Sequence, residues 1–225
     1  MNWKLKLSSV LVNNIFTAHQ DGLPIKSDKV IVTGHGISLD VFNFNKKEEK
    51  TDSFCLLTVG RVAESKNLLF LVKFAIILQQ KLGKPVKFVI VGEPYLEDDK
   101  AYLAKLKQYL QEKKEENMVE FVGKVAHKDL PEYHKKADIF LNAGRTGGVD
   151  KAVLEAVASG VPVITSNFTF KNLLPSECIF KDEDTQDLTN KVMNYKNIDT
   201  QKIRNIVLEN HNLKNTVKKI LEKII

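Results

Sequence analysis

Cysteine, arginine, tryptophan and long apolar runs are all scarce in this sequence of 225 residues. Cys55 and Cys178 are too few for a disulfide framework and lack the spacing of a metal-ligand cluster, which favours a reducing compartment. No apolar run approaches the about 18 residues that a membrane helix needs, and Met1–Phe16 has no signal-peptide cleavage site. The sequence therefore predicts a cytoplasmic protein, either free or at the inner face of a membrane.

The charge is positive but comes almost entirely from lysine. The formal net charge is +6, and the only arginines are Arg61, Arg145 and Arg204. Proteins that read nucleic acids usually depend on the planar fork of arginine, so we expect no nucleic-acid partner. The charge instead favours an anionic ligand or a membrane surface.

Short apolar segments alternate with longer segments of helical period, and 43% of the residues are hydrophobic. This alternation predicts an α/β fold with a Rossmann-like, doubly wound parallel sheet. The predicted strands are Val30–Thr33, Phe54–Gly60, Val86–Gly92, Val119–Gly123, Ala137–Asn142, Pro162–Ser166 and Glu177–Lys181. The predicted helices are Leu68–Leu82, Asp98–Lys114, Asp129–Lys136, Ala152–Ser159, Thr185–Tyr195, Gln201–Asn210 and Leu213–Ile225.

Two further segments bear on the organisation of the chain. Asn43–Ser53 is polar and charged and predicts a surface loop. The last helix carries an apolar stripe with lysines opposite, which we expect to pack on the sheet or on a neighbouring domain rather than on a membrane. The stripe consists of Val217, Ile220, Leu221, Ile224 and Ile225.

In doubly wound sheets, ligands bind beyond the carboxyl ends of the strands. One such end is Val59-Gly60-Arg61, followed by Lys66 where a helix opens. An arginine fork, a lysine and helical amides together suit a diphosphate, although surface ion pairs would give the same pattern.

A glycine-rich turn follows another predicted strand. Residues 143–150 read Ala-Gly-Arg-Thr-Gly-Gly-Val-Asp and run into a helix that contains Glu155. Backbone amides of such a turn can cradle a phosphate or a sugar. Glu155 either joins a buried polar network or accepts hydrogen bonds from ligand hydroxyls; its spacing leaves both open.

Together these patterns resemble the nucleotide-sugar-binding, C-terminal half of a GT-B glycosyltransferase, specifically glycosyltransferase family four. The resemblance extends in order from about Ser9 to Tyr195. The matching stretches are Gly34–Ile37 with Asp40–Phe42, Val59–Arg61 with Lys66, Val89–Gly92, Val119–Val125, Ala137–Leu141 and Val153–Val163.

The resemblance implies a retaining transferase that uses a nucleotide-diphosphate sugar, UDP- or GDP-linked, without a metal. It assigns Arg61 and Lys66 to the diphosphate as the catalytic cations, Glu155 to the ribose and Val122–Lys124 to the base. The full predicted donor-binding set is Gly36, Gly60, Arg61, Lys66, Val122, Gly123, Lys124, Thr146, Gly147, Gly148, Asp150, Val153, Leu154 and Glu155. Polysaccharide or glycoconjugate synthesis is the implied context.

The sequence departs from that family in two places. Members usually have a second acidic residue eight positions before the one that matches Glu155, and Gly147 stands there instead. Backbone amides or Asp150 are the candidates to replace its sugar contact. Members also carry an N-terminal acceptor domain, whereas this chain opens on what resembles the hinge region.

We therefore predict a hinge-region helix over residues 1–20, a donor-binding domain over 21–200 and a final helix over 201–225 that packs on an absent acceptor domain. Such a chain should transfer poorly alone, and the full-length protein could associate with a membrane surface. A non-catalytic nucleotide-sugar-binding module and a sugar-nucleotide epimerase remain alternatives.

The remaining polar residues give weaker signals. Asp182-Glu183-Asp184 has the spacing of a metal-binding motif but precedes a helix, where acidic residues suit the N-terminus, so no metal is expected. His35 lies in a predicted crevice loop and could be next to the ligand. The other histidines, His19, His127, His134 and His211, are interpreted as surface or structural residues.

Overall fold

The computed structural model describes residues 3–19, 23, 25–43, 52–145 and 147–224. They form a five-stranded parallel sheet flanked by helices, and a separate pair of short parallel strands. The strands are β1 (Ile15–Thr17), β2 (Val30–Val32), β3 (Phe54–Val59), β4 (Val86–Val91), β5 (Val119–Gly123), β6 (Ile139–Asn142) and β7 (Val163–Thr165). The helices are α1 (Trp3–Leu11), α2 (Leu68–Leu82), α3 (Glu97–Lys113), α4 (Leu130–Lys136), α5 (Lys151–Ala158), α6 (Thr185–Met193), α7 (Thr200–Asn210) and α8 (Leu213–Ile224).

The core lies on both faces of the large sheet because most residues of its strands are apolar and buried. Leu56, Phe88 and Phe140, on three adjacent strands, have no exposed surface. Burying one side chain of this kind stabilises the fold by about 1.5–3 kcal/mol. Helix α2 covers one face and ends where Gly83 adopts φ +60°, with its N–H bonded to the Gln79 carbonyl at 3.1 Å.

The order of the strands determines where a ligand can bind. The strand order of the sheet is β5-β4-β3-β6-β7. Strands β4 and β5 therefore lie on one side of β3, and β6 and β7 lie on the other. The loops after β3 and β6 leave the sheet in opposite directions and open a crevice between them. The predicted motifs at Gly60–Lys66 and Ala143–Asp150 are these two loops.

The predicted α/β fold is confirmed, with two errors at the level of single elements. Glu177–Lys181 is not a strand: Ser176–Cys178 is a 3-10 helix, and only Ile179 forms a bridge, with Thr165. Pro175 precedes that helix and accepts the Cys178 N–H at 2.9 Å, which starts a turn where a strand was expected. Sequence reasoning also missed β1, which pairs with β2.

The last helix contacts the loop after β2 through its polar side. Thr216 Oγ1 donates to the Thr33 carbonyl at 2.8 Å, and Ile37 pairs with Asn212 just before the helix. The apolar stripe faces away: Val217 is 45% exposed and Leu221 is 48% exposed. Of the two partners expected for this stripe, the sheet is therefore wrong, and a neighbouring domain stays a prediction.

The end of α8 also lies beside the segment that leads into β1, because Asn14 Nδ2 donates to the Lys223 carbonyl at 2.9 Å. Within the residues described above, no helix is both long enough and apolar enough to cross a bilayer. Most of the predicted surface loop at Asn43–Ser53 lies outside the described residues, as does Ile225.

Candidate functional site

The edge of the crevice is formed by a close approach of two glycines. Gly92 follows β4 with φ +138°, and a Cβ added there would lie 1.9 Å from the Gly60 carbonyl oxygen. Gly60, at φ +148°, in turn lies under Lys66, whose Cε would be 3.4 Å from an added Cβ. Glycine is needed at position 92 because any side chain would displace the backbone that precedes Arg61.

Arg61 leaves β3 toward the N-terminus of α3. Its Nε lies 3.6 Å from Asp99 Oδ2, and its side chain is 46% exposed. Asp99 also accepts the N–H groups of Leu96 at 3.0 Å and Tyr95 at 3.1 Å. The Leu96 hydrogen bond in particular lowers the pKa of Asp99, so the carboxylate is a permanent counter-charge for Arg61.

The loops after β3 and β6 are joined directly. The Arg145 N–H donates to the Ser65 carbonyl at 2.9 Å. Its guanidinium extends away from that bond to Asp182 at 2.9 Å and Glu183 at 2.8 Å. The Asp182-Glu183-Asp184 motif, which has the spacing of a metal site, therefore binds an arginine side chain. The hydrogen bond to Glu183 and then the one to Asp182 raise the pKa of Arg145.

Lys66 and Asp150 form the ion pair at the centre of the crevice. Lys66 Nζ bonds Asp150 Oδ2, and only 19% and 11% of the two side chains are exposed. Asn142, at the end of β6, donates to the same Asp150 oxygen at 3.1 Å. The other oxygen accepts the Ala152 N–H at 3.3 Å, which makes Asp150 the N-cap of α5.

The glycine-rich turn is also held by the segment that follows β7. The Gly148 carbonyl accepts hydrogen bonds from Asn167 Nδ2 at 2.9 Å and Thr169 Oγ1 at 3.2 Å. Gly147 is exposed with φ +70°, and an added Cβ would meet nothing within 4 Å. Thr146, which the sequence also assigned to the donor site, lies outside the described residues.

Glu155 lies one turn into α5 and is 4% exposed. Its carboxylate is 2.8 Å from His127 Nε2 and 3.9 Å from Lys151 Nζ. Burial raises the pKa of Glu155 above its usual range, although the bond to His127 opposes that shift. Val153 and Leu154, both predicted donor contacts, are buried, so their backbone rather than their side chains could reach a ligand.

His127 is the residue at this site that sequence reasoning missed. It lies in the 3-10 helix His127–Asp129 after β5, and half of its side chain is exposed. Phe42 contacts its ring edge-on, with 4.9 Å between ring centroids. No sequence signal links His127 to Glu155, because they are 28 positions apart on different elements.

The predicted base-contacting segment lies on the same side of the crevice as His127. The Gly123 carbonyl accepts the Gly92 N–H at 2.8 Å, which ties the end of β5 to the glycine pair at the edge of the crevice. Lys124 is exposed and lies 3.9 Å from Glu93. The half-buried Val122 precedes them at the end of the strand.

Gly36 lies against α8 instead of the crevice. A Cβ added there would be 3.0 Å from Leu213 Cδ1. Its neighbour His35 donates its backbone N–H to His211 Nδ1 at 3.2 Å. Burial, mainly, and the charges of His19 and Lys151 lower the pKa of His35, while Asp150 opposes them. The charges at the start of α5 therefore affect the pKa of His35, whereas Gly36 lies against α8.

Comparisons with known proteins identify the family and the fold. Residues 41–174, more than half of the chain, match the family described as "Glycosyl transferases group 1". A curated relative from Streptococcus pneumoniae, "Alpha-monoglucosyldiacylglycerol synthase", is 34% identical over 56% of this chain and 27% of its own length. "Amylovoran biosynthesis glycosyltransferase AmsK" from Erwinia amylovora is 30% identical over 62% of this chain and 34% of its own length. The chain thus spans about a third or less of these relatives.

A solved structure shares the fold over nearly the whole chain. It is the crystal structure of Anabaena Alr3699/HepE in complex with UDP and glucose, with a TM-score of 0.78 and 17% identity. The match covers 99% of this chain and 66% of that one. This likeness confirms the predicted GT-B type of α/β fold.

Proposed function

The chain belongs to the family of glycosyl transferases group 1, and from that premise we propose that it binds a nucleotide-diphosphate sugar in the crevice between the loops after β3 and β6. The observation that carries the proposal is the position of Lys66, which is paired with the N-cap residue of α5 at the switch point of the sheet, with Arg61 on the same loop. A diphosphate matches that arrangement, because guanidinium, ammonium and helical amides all donate to phosphate oxygens.

The rest of the nucleotide extends toward β5 in this proposal. Glu155 accepts hydrogen bonds from the ribose hydroxyls, held in place by His127 at 2.8 Å. The segment Val122–Lys124 borders the base. Crystals of the Anabaena protein contain UDP, which supports a nucleotide ligand here.

The proposed reaction is sugar transfer with retention, as in glycosyltransferase family four. The bond between sugar C1 and the phosphate oxygen breaks, and Arg61 and Lys66 stabilise the charge that develops on the leaving diphosphate. The acceptor hydroxyl attacks the same face of C1 and gives its proton to a departing phosphate oxygen. The chain's own cations thus do what a metal ion does in other transferases.

The acceptor belongs to a part of the active site that this proposal places on another domain. The S. pneumoniae relative is named for the synthesis of alpha-monoglucosyldiacylglycerol, and the E. amylovora relative for amylovoran biosynthesis. We therefore propose that the whole protein acts in polysaccharide or glycoconjugate synthesis.

A calorimetric titration of the chain with UDP, GDP and ADP tests the proposal. We expect one nucleotide to saturate, and Arg61→Ala to weaken its binding by about 1.5–3 kcal/mol, typical of hydrogen bonds to charged groups. Lys87→Ala is the matched control, because Lys87 is also a half-exposed cation paired with a carboxylate, Glu120, but lies away from the crevice. Equal binding by wild type and Arg61→Ala would overturn the assignment.

A further inference from the structure

Asp150 already occupies the groups that would bind a diphosphate. One of its oxygens bonds Lys66 and Asn142, and the other accepts an α5 amide. The ammonium and the helix N-terminus are the two strongest attractions for an anion in this crevice, and both face a carboxylate of the chain itself. A bound phosphate must therefore lie beside a fixed negative charge.

This arrangement differs from those of the neighbouring cations. Arg61 and Arg145 also have carboxylate partners, but their side chains are 46% and 43% exposed, and water screens them. The Lys66–Asp150 pair is enclosed, so its charges act on a nearby ligand with less screening. Of these carboxylate partners, Asp150 should therefore repel a bound diphosphate most strongly.

We do not assign Asp150 to the sugar contact of the missing acidic residue. Both of its oxygens have partners, and its side chain is 11% exposed. Position 147, where the resemblance expects that acid, opens instead into free space. We therefore consider Asp150 for its electrostatic effect on a bound phosphate.

We propose that Asp150 selects between nucleotide-diphosphate sugar and free nucleoside diphosphate, weakening the second and so favouring release of the product. The inference rests on the proposed function. In a nucleotide sugar, both phosphates are esterified and each carries one negative charge. Once the sugar is transferred, the terminal phosphate gains a second ionisable oxygen, whose proton is largely lost at pH 7. That added charge appears next to Lys66, where Asp150 repels it.

The test compares the dissociation constants of UDP and UDP-glucose for wild type and Asp150→Asn. Asparagine removes the charge and, with its single carbonyl oxygen, keeps either the cap of α5 or the bond to Lys66. Because both ligands meet the same altered geometry, the ratio of their constants reports the charge. We expect the ratio of the two constants to move about tenfold in favour of UDP, the size of a charge–charge interaction at short range in a partly screened site. UDP should also dissociate more slowly from the variant.

Two further variants sharpen the result. Asp182→Asn removes a carboxylate that is bonded to Arg145 at 2.9 Å, outside the Lys66 pair, and should leave the ratio unchanged. Asp150→Ser also retains a capping oxygen without charge. It should shift the ratio in the same direction as Asp150→Asn, and it replaces that variant in the test if Asp150→Asn folds poorly.

Each outcome decides between the two proposals. If wild type binds UDP and the ratio is the same in all variants, the selective role of Asp150 is wrong and the donor site stands. If both Asp150 variants bind UDP more weakly, Asp150 only positions Lys66, and the inference fails. If folded wild type binds neither ligand, the proposed function falls and the inference with it.

Discussion

The two sides of the crevice use carboxylates in opposite ways, although Asp150 and Glu155 lie on successive turns of one helix. On the side that we propose for the diphosphate, the phosphate side, Asp150 is paired with Lys66 and caps α5. On the side that we propose for the ribose, the ribose side, Glu155 is 4% exposed and its nearest partner is His127. The phosphate side thus keeps a fixed balance of charge, whereas the ribose side depends on burial and on protonation. We therefore expect the stability of the protein to depend on backbone geometry at the phosphate side and on pH at the ribose side.

The largest effect should come from breaking the phosphate side with Gly92→Ala. The new methyl group would lie 1.9 Å from the Gly60 carbonyl oxygen, at a φ that side chains rarely adopt. Overpacking and backbone strain together should lower the free energy of unfolding by about 3 kcal/mol or more. Urea unfolding measures this loss.

Gly83→Ala is the matched control for that substitution. Gly83 also has positive φ, but an added Cβ meets nothing within 4 Å, so only strain of about 1 kcal/mol is expected. Equal losses for the two variants would show that the contact with Gly60 has no energetic role.

A smaller loss of stability should appear when the pH is lowered, because a buried histidine lies beneath the ribose side. His134 is 2% exposed beneath it, bonds Ser159 Oγ at 2.9 Å, and burial lowers its pKa to about 4. The fold keeps this imidazole neutral, so stability present above the unfolded pKa of about 6.5 is lost as the pH falls toward 4. Between pH 7 and pH 5 the loss should be about 2 kcal/mol for this residue alone.

Urea unfolding of wild type and His134→Gln at both pH values isolates that contribution. The variant should lose about 2 kcal/mol less than wild type on acidification. His211, whose pKa burial also lowers to about 4, remains in both proteins and should contribute equally to each. Parallel losses in the two proteins would contradict the assignment of His134.

The smallest effect should come from Glu155→Gln. Because burial raises the pKa of Glu155, ionising it costs the fold free energy, and this cost grows as the pH rises from the unfolded pKa through the raised one. We expect the variant to match wild type near pH 4 and to be about 1 kcal/mol more stable at pH 7, while binding nucleotide more weakly.

Unfolding at both pH values, with a nucleotide titration at pH 7, separates the two roles of Glu155. His127→Gln is the companion variant, because it removes the imidazole that opposes the pKa shift. A Glu155→Gln protein that is less stable at pH 7 and binds normally would make Glu155 a structural residue.

The sequence predicted the parts of the fold whose signals are local. The helix over Leu68–Leu82 was predicted with its observed bounds, because the apolar period and Gly83 both lie within one segment. The strand at Glu177–Lys181 was wrong because an apolar run does not reveal that Pro175 starts a turn. Periodicity specifies which segments form elements, but hydrogen bonds across loops decide where short elements end.

The site divides in the same way. Gly60-Arg61 and the turn before Asp150 are contiguous patterns, so the two loops could be identified before their geometry was known. The pairing of Lys66 with Asp150 and of His127 with Glu155 depends on strand order, which brings residues 84 and 28 positions apart into contact. The identity of the counter-charges was therefore beyond the reach of sequence patterns.

The hydrogen bond from Asn14 to the carbonyl of Lys223 has a practical consequence for protein engineering. It places the segment before β1 and the last turn of α8 within reach of a short peptide linker. The turn at Gly83–Lys84 precedes β4, at the edge of the sheet opposite the crevice. A permuted variant that omits α1, joins the first pair and opens the chain at this turn should keep every loop of the crevice intact.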